Sequence, residues 1–187
     1  MTRRRAVFLD RDGTLVRDPG FLKNPADVAL LPEAGAALGR LSHAGYTLVV
    51  VTNQSGIGRG LMSEQEYAAV RDRVEALLAA EGAPVAATYH CPHSPEDDDP
   101  CACRKPGTKL YRRAMADLGI DPERSWWVGD RMSDLQPAAI LGGRAVLVTT
   151  GHGRDHVPIA RERGIPTVPG IGEAATHILS ALADAGD

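Results

Sequence analysis

Short apolar runs, several of them closing on a polar or acidic residue, alternate with longer amphipathic stretches along this chain, and that alternation restricts it to one broad architecture. Residues 6–10 read Ala-Val-Phe-Leu-Asp, residues 46–51 Tyr-Thr-Leu-Val-Val-Val, and residues 125–130 Ser-Trp-Trp-Val-Gly-Asp. Residues 85–89 and 145–149 are runs of the same kind. Continuous apolar runs of this length suit strands buried on both faces. Helical stretches lie between them. Residues 32–44 carry Ala36, Ala37, Leu38 and Leu41 and stop at Gly45. Ser63-Glu-Gln-Glu66 is a capping box that opens a helix to about Ala80, ending near Gly82. Residues 109–118 close at Gly119, residues 133–141 at Gly142-Gly143, and residues 172–183 form a terminal helix. The alternation predicts an α/β chain, with a Rossmann-like, mainly parallel sheet and helices on both faces. No internal repeat appears, and 187 residues suit a single domain over 1–187.

Charge and composition narrow the partners. A net charge of -3 and only 4% aromatic residues argue against nucleic acid. No apolar run approaches the ~20 residues of a membrane span. The start, Met-Thr-Arg-Arg-Arg, leads directly into a strand too short for a signal peptide. A cytoplasmic, monomeric protein acting on a small molecule is expected. The acidic segment 96–99 reads as a solvated loop tip.

In sheets of this kind ligands bind beyond the carboxyl ends of the strands. Those ends read Asp10, Thr52-Asn53, His90-Cys91 and Asp130. In Asp10-Arg-Asp12-Gly-Thr14 two carboxylates lie two residues apart after a buried strand. One side chain and one backbone carbonyl of such a pair can share an oxygen site of the kind Mg²⁺ prefers, leaving the other Asp for acid–base work. Thr52-Asn53-Gln54-Ser55-Gly56 offers hydroxyl, amide and backbone N–H donors to a phosphate, although ordinary turns use the same residues. Lys105, one of only three lysines, stands in Arg104-Lys105-Pro106 at a helix entry, where in isolation it reads as a solvated charge. Gly129-Asp130 and Asp134 place two more acids at a strand end and the following helix start.

Cys91-Pro-His93 and Cys101-Ala-Cys103 supply a Cys₃His set, which is complete for a tetrahedral structural zinc. His90 competes as a ligand. Free buried thiols or a redox Cys-x-Cys pair are the other readings of the same residues. Three clustered cysteines make a poor disulfide framework.

In this order, the DxDGT motif, the strand-end Thr, the Lys before a helix and GDxxxD resemble the haloacid dehalogenase superfamily of phosphohydrolases, from about Arg5 to Leu182. The resemblance implies that Asp10 is the nucleophile and Asp12 the general acid and base. It implies that Asp10, the Asp12 carbonyl and Asp130 hold Mg²⁺, that Thr52 and Lys105 bind phosphate oxygens, and that Asp134 supports the site by orienting Lys105 or a metal-bound water. The spacings Asp12 to Thr52 and Thr52 to Lys105 leave no room for a separate cap domain.

The C-x-H…C-x-C-R-K-P segment further resembles the subgroup of heptose bisphosphate and histidinol-phosphate phosphatases. That resemblance implies a structural Zn²⁺ on Cys91, His93, Cys101 and Cys103, in a zinc loop over 91–103. It also implies a substrate contact from Asp18-Pro19-Gly20-Phe21, with the pocket completed by Thr52, Asn53, Gln54, Ser55, Arg104 and Arg131. Position 131 is often Lys in the subgroup and is Arg here. Arg104 and Arg131 suit a second phosphate, because an arginine fork matches phosphate geometry. The implied substrate is a small sugar bisphosphate, with histidinol phosphate as the alternative and a non-catalytic zinc-stabilised binding module as the remote one. His152 and His156 read as surface of a glycine-rich loop and are given no role.

Overall fold

A computed structural model describes residues 3–96 and 101–184; Asp97, Asp98 and Asp99 of the acidic segment lie outside it. Six strands form one parallel sheet. In chain order the elements are β1 (Ala6–Leu9), α1 (Ala34–His43), β2 (Thr47–Asn53), the single turn α2 (Ser55–Gly58), α3 (Glu64–Ala80) and β3 (Ala87–Cys91). They continue as α4 (Lys109–Leu118), β4 (Trp126–Gly129), α5 (Met132–Leu141), β5 (Arg144–Val148), α6 (Gly153–Glu162), β6 (Thr167–Val168) and α7 (Ile171–Asp184). The spatial order is β3-β2-β1-β4-β5-β6, and every strand pair is parallel. The order reverses at β1, so the switch point lies between β1 and β4, where such sheets bind ligands.

Side-chain alternation on the buried strands makes two cores. Val7, Leu9, Leu48, Val50, Val128 and Val146 face α1, α3 and α7, which contribute Leu38, Val74 and Ile178. Ala6, Phe8, Val49, Val51, Trp127 and Leu147 face α4, α5 and α6, which contribute Tyr111, Leu135 and Ala160. Both faces of β1 are therefore covered, and all four of its side chains are buried. Phe8 packs edge-on to Tyr111 at 5.3 Å and against Trp127 at 4.6 Å, directly below the strand ends that carry the polar residues.

Local signals account for most helix ends. Ser63 accepts from the Glu66 N–H, and Glu66 accepts from the Ser63 N–H, closing the expected capping box. Helix α4 runs over the expected residues and ends on Gly119 in the left-handed conformation. Two segments differ from expectation, and two short elements were not expected. Strand β3 lies two residues later than the hydrophobic run 85–89. It is an edge strand of half-buried residues, and its pairing with β2, Val49 against Ala87 through Asn53 against Cys91, sets its place. The segment expected to be loop around His156 is helix α6, which packs Ala160 and Val157 on the sheet while Pro158 and flanking glycines disguise its period. His152 stands at the N-cap position of that helix without a capping side-chain hydrogen bond. The short elements α2 and β6 carried too few residues to show a period. Among the described residues no helix is long and apolar enough to cross a membrane.

Candidate active site

Asp10 follows the last residue of β1, and its backbone N–H donates to the Val128 carbonyl at 3.0 Å, holding it at the switch point. Lys105 reaches it from the loop before α4. Its Nζ lies 2.6 Å from Asp10 Oδ1, 2.8 Å from Asp134 Oδ1 and 2.7 Å from the Val51 carbonyl oxygen. The ammonium is thus hydrogen-bonded to Asp10 and to the Val51 carbonyl and ion-paired with Asp134. Asp134, in the first turn of α5, is fixed through its other oxygen, which accepts the Arg131 N–H at 2.9 Å. Gly129 is needed for this packing, since a Cβ there would come 2.4 Å from the Asp134 Cβ.

These groups are almost sealed from solvent: Asp10 is 9% exposed, Lys105 4%, Asp134 3% and Asp130 0%. Burial pushes the Asp10 carboxyl well above its ordinary range, and Lys105 works against that rise. Burial opposes the charge on Lys105 as well, yet Asp10 and Asp134 push its pKa up, so it remains an ammonium. Asp10, Asp130 and Asp134 bring carboxylate oxygens within 4.8 Å of one another, with one buried ammonium among them.

Asp130 completes the acidic face. Its Oδ2 accepts the His152 N–H at 2.7 Å. Its Oδ1 is buried and has no hydrogen-bond partner among the described residues, and burial raises its pKa. Gly13, at φ 81°, allows the approach, because a Cβ there would lie 2.5 Å from Asp130 Oδ2. A bare buried oxygen beside excess negative charge fits a hard divalent cation with oxygen ligands. Asp10, Asp130 and the Asp12 carbonyl remain the ligands the sequence suggests.

Asp12 stands apart from the Lys105 contacts. Arg11 donates to both its oxygens, Nε to Oδ1 at 3.0 Å and Nη2 to Oδ2 at 2.8 Å. Gln54 Nε2 donates to Asp12 Oδ2 at 2.8 Å and to Thr52 Oγ1 at 2.9 Å, and Gln54 Oε1 accepts from Arg11 Nη2. Gln54 therefore sits behind Asp12 and outside the cleft lining, although the sequence placed it against substrate. Asn53 lines the cleft, but its amide grips the Lys105 peptide: its Oδ1 accepts the Lys105 N–H at 3.0 Å and its Nδ2 donates to the Lys105 carbonyl at 3.3 Å.

The cleft above these groups has a volume of about 350 Å³, within the range of small-ligand sites. Asp10, Asp12, Thr52 and Lys105 form its floor and wall, together with Asp18, Gly20, Ser55, Arg104 and Arg131. Pro19 and Phe21 are outside that lining; Phe21 is 45% exposed and its ring covers Gly56. Sequence reading missed three contributors. Ser133 lines the cleft, the Val51 carbonyl accepts from Lys105, and Arg11 turns inward to hold Asp12. Only Arg11, an arginine between two acids, left a sign that could have been followed.

The four residues Cys91, His93, Cys101 and Cys103 converge. Cys91 Sγ lies 3.5 Å from Cys101 Sγ, 3.2 Å from Cys103 Sγ and 3.5 Å from His93 Nδ1, and His93 Nδ1 lies 3.2 Å from Cys103 Sγ. A tetrahedral site with zinc–sulfur bonds of about 2.3 Å has sulfur–sulfur edges of roughly 3.7 Å, close to these separations. They are too long for a disulfide, and all three cysteines are free. Burial raises the Cys91 and Cys103 thiols. Burial also opposes ionisation of Cys101, but the Arg104 N–H and the neighbouring thiols outweigh it and bring this pKa down to about 7. The geometry thus fits a zinc ion. His90 is elsewhere, 3.1 Å from Glu64 and stacked on Tyr67 at 4.1 Å.

Known proteins resemble this chain in sequence and in fold. Residues 102–185 match the HAD-hydrolase-like family. A D-glycero-β-D-manno-heptose-1,7-bisphosphate 7-phosphatase of Haemophilus ducreyi is 42% identical over 154 residues, covering 79% of this chain and 85% of the relative. The enzyme of the same name from Yersinia pestis is 36% identical over 186 residues, covering 96% and 92%. The crystal structure of the D,D-heptose 1,7-bisphosphate phosphatase of Bordetella bronchiseptica, complexed with magnesium and phosphate, superimposes with a TM-score of 0.86 at 36% identity, covering 95% of this chain and 99% of that one.

Proposed function

This chain belongs to the heptose-1,7-bisphosphate 7-phosphatase family of HAD-like hydrolases, and on that basis we propose that it is a magnesium-dependent phosphatase removing the 7-phosphate of D-glycero-D-manno-heptose 1,7-bisphosphate. The observation that carries this reading is the buried group of three carboxylates, Asp10, Asp130 and Asp134, around the single ammonium of Lys105. That group suits a divalent cation and a phosphate, and Asp10 lines the cleft.

Asp10 attacks phosphorus, the bond from phosphorus to the sugar oxygen breaks, and an aspartyl phosphate forms. Asp12 gives its proton to the departing alkoxide, then takes one from the water that hydrolyses the aspartyl phosphate. Lys105 and Thr52 hold the non-bridging oxygens, with Asp134 and the Val51 carbonyl fixing the direction of the ammonium. Asp10, Asp130 and the Asp12 carbonyl would hold magnesium, which would supply charge neutralisation at the phosphoryl oxygens. Arg104 and Arg131, on the same cleft, receive the second phosphate; Asp18, Gly20, Asn53 and Ser55 border the sugar. Pro19, Phe21 and Gln54 support these walls from outside the lining. The chain acts as one monomeric catalytic unit without a cap, and its reduced, metal-type cysteines suit the cytoplasm.

Mg²⁺-dependent phosphate release measured on α- and β-heptose bisphosphate, fructose bisphosphate and histidinol phosphate tests the substrate. A kcat/KM on a heptose bisphosphate at least about tenfold above that on histidinol phosphate is expected, since histidinol phosphate lacks a second phosphate and a phosphate–arginine contact is worth more than one factor of ten. A higher value on histidinol phosphate refutes the reading.

The Cys₃His cluster holds structural zinc in this proposal. The loop between Cys91 and Lys105 is otherwise without regular structure over its described residues, and the metal fixes the segment that delivers Arg104 and Lys105. Metal analysis is expected to find one zinc per chain. Cys101→Ala is expected to lower kcat by about 10²-fold, the cost of misplacing a reacting group by about 1 Å. Fully active protein without zinc overturns this role.

A further inference from the structure

Arg11 is the largest charged side chain in the interior, 2% exposed. Its guanidinium lies 5.6 Å from the centre of the Tyr67 ring of α3, which covers its outer face. Burying a guanidinium is costly unless its partners are well placed. Its Nη1 is buried without a hydrogen-bond partner among the described residues. The hydrogen bonds that offset the burial of this charge are therefore those of Nε and Nη2, to Asp12 and Gln54. A lysine could not reproduce them, because only a planar fork meets both oxygens of one carboxylate at once.

The pattern of donors distinguishes the two Asp12 oxygens. Oδ2 accepts from Arg11 Nη2 and from Gln54 Nε2, so both of its in-plane lone pairs are occupied. Among the described residues Oδ1 accepts only from Arg11 Nε. One lone pair on Oδ1 stays open for a proton. Gln54 is itself held by Thr52 Oγ1, which ties the clamp to the strand end that borders the cleft.

We propose that Arg11, backed by Gln54, is a positioning residue that locks the Asp12 carboxyl group and designates Oδ1 as the atom that delivers and recovers the proton. The inference rests on Asp12 being the general acid and base. In the first half-reaction the Oδ1 proton passes to the sugar oxygen as its bond to phosphorus breaks and the Asp10–phosphorus bond forms. In the second, Oδ1 takes a proton from water as its oxygen bonds to phosphorus and Asp10 is released.

A leaving group that needs no proton separates this role from a structural one. p-Nitrophenolate departs unaided, whereas a sugar alkoxide does not. Arg11→Met is expected to lower kcat/KM on heptose bisphosphate by about 100-fold and on p-nitrophenyl phosphate by less than about fivefold, the range of a lost general acid. In an Asp12→Asn background the same substitution is expected to add less than about twofold, because the two side chains act as one unit. Equal losses on both substrates, or losses that simply multiply in the Asp12→Asn background, overturn the proposal. Gln54→Met removes the other half of the clamp, and the same preferential loss on the sugar substrate is expected. This variant decides the matter if Arg11→Met does not fold. Asp12→Asn alone retaining its activity on the sugar substrate sinks the acid–base reading itself, whatever Arg11 does.

Discussion

Asp10→Asn is expected to abolish phosphate release, with a loss on the order of 10⁵-fold or more, as when a nucleophile is removed from a preorganised site. The amide oxygen is too weak a nucleophile to form the aspartyl phosphate, and no neighbouring group can substitute. Asp134 is held by Lys105 and the Arg131 N–H, and Asp12 by Arg11 and Gln54. The fold should survive. Lys105 keeps Asp134 and the Val51 carbonyl as acceptors, and the substitution removes one of three crowded carboxylates whose charge burial disfavours. A melting temperature within a few degrees of the parent and an unchanged far-UV spectrum are expected alongside the lost activity. Near-parental turnover removes Asp10 as the nucleophile.

Lys105→Met is expected to damage both activity and stability. Its loss strips charge from the phosphate site, at a cost of about 10³-fold in kcat/KM. It also leaves Asp10 and Asp134 buried without their cation, which costs about 3–5 kcal/mol and roughly 10 °C in melting temperature for a chain of this size. The pH dependence has a definite sign. Burial already lifts the Asp10 carboxyl well above its ordinary range, and Lys105 is the group that restrains it; without Lys105 it rises further. A carboxyl whose folded pKa exceeds its unfolded one favours folding below that pKa and loses the advantage as pH rises through it. In metal-free protein the deficit of Lys105→Met should therefore be largest near neutral pH and shrink on acidification. Thermal melts of both proteins across pH check this, and a gap that does not change with pH contradicts it.

The parts of the site carried by strand ends were legible in the sequence because a buried apolar run announces its own end. Asp10, Thr52 and Asp130 could be placed before any coordinates, whereas Lys105, which alone reads as a solvated charge, was placed by the family resemblance. The four residues of the Cys₃His cluster, His93 and not His90 among them, were legible as a set from spacing and resemblance, and the structure brings the same four together. His90 belongs to a strand whose register is set by β2, and its ring pairs with Glu64 and Tyr67. What stayed hidden is the direction of side chains between the signposts. Arg11 and Gln54 are as polar as their neighbours, yet one turns inward over Tyr67 and the other threads behind Asp12. Helix α6 escaped for another reason: Ile159 is 43% exposed and Pro158 interrupts the run, so its apolar face is thin.

The position of β1 at the centre of the sheet has a consequence for how the protein is made. Residues 6–9 pair on one side with residues 47–50 and on the other with residues 126–128. As the chain leaves the ribosome, one edge of β1 can be satisfied early, but the other stays open until β4 has been synthesised. The nascent half-sheet β3-β2-β1 must pass through that interval with an apolar strand edge exposed, a state open to wrong pairing. Asp10, Lys105 and Asp134 meet only once α5 has emerged. Phosphate chemistry is therefore switched on late in biosynthesis, after the step at which the chain is most exposed to aggregation.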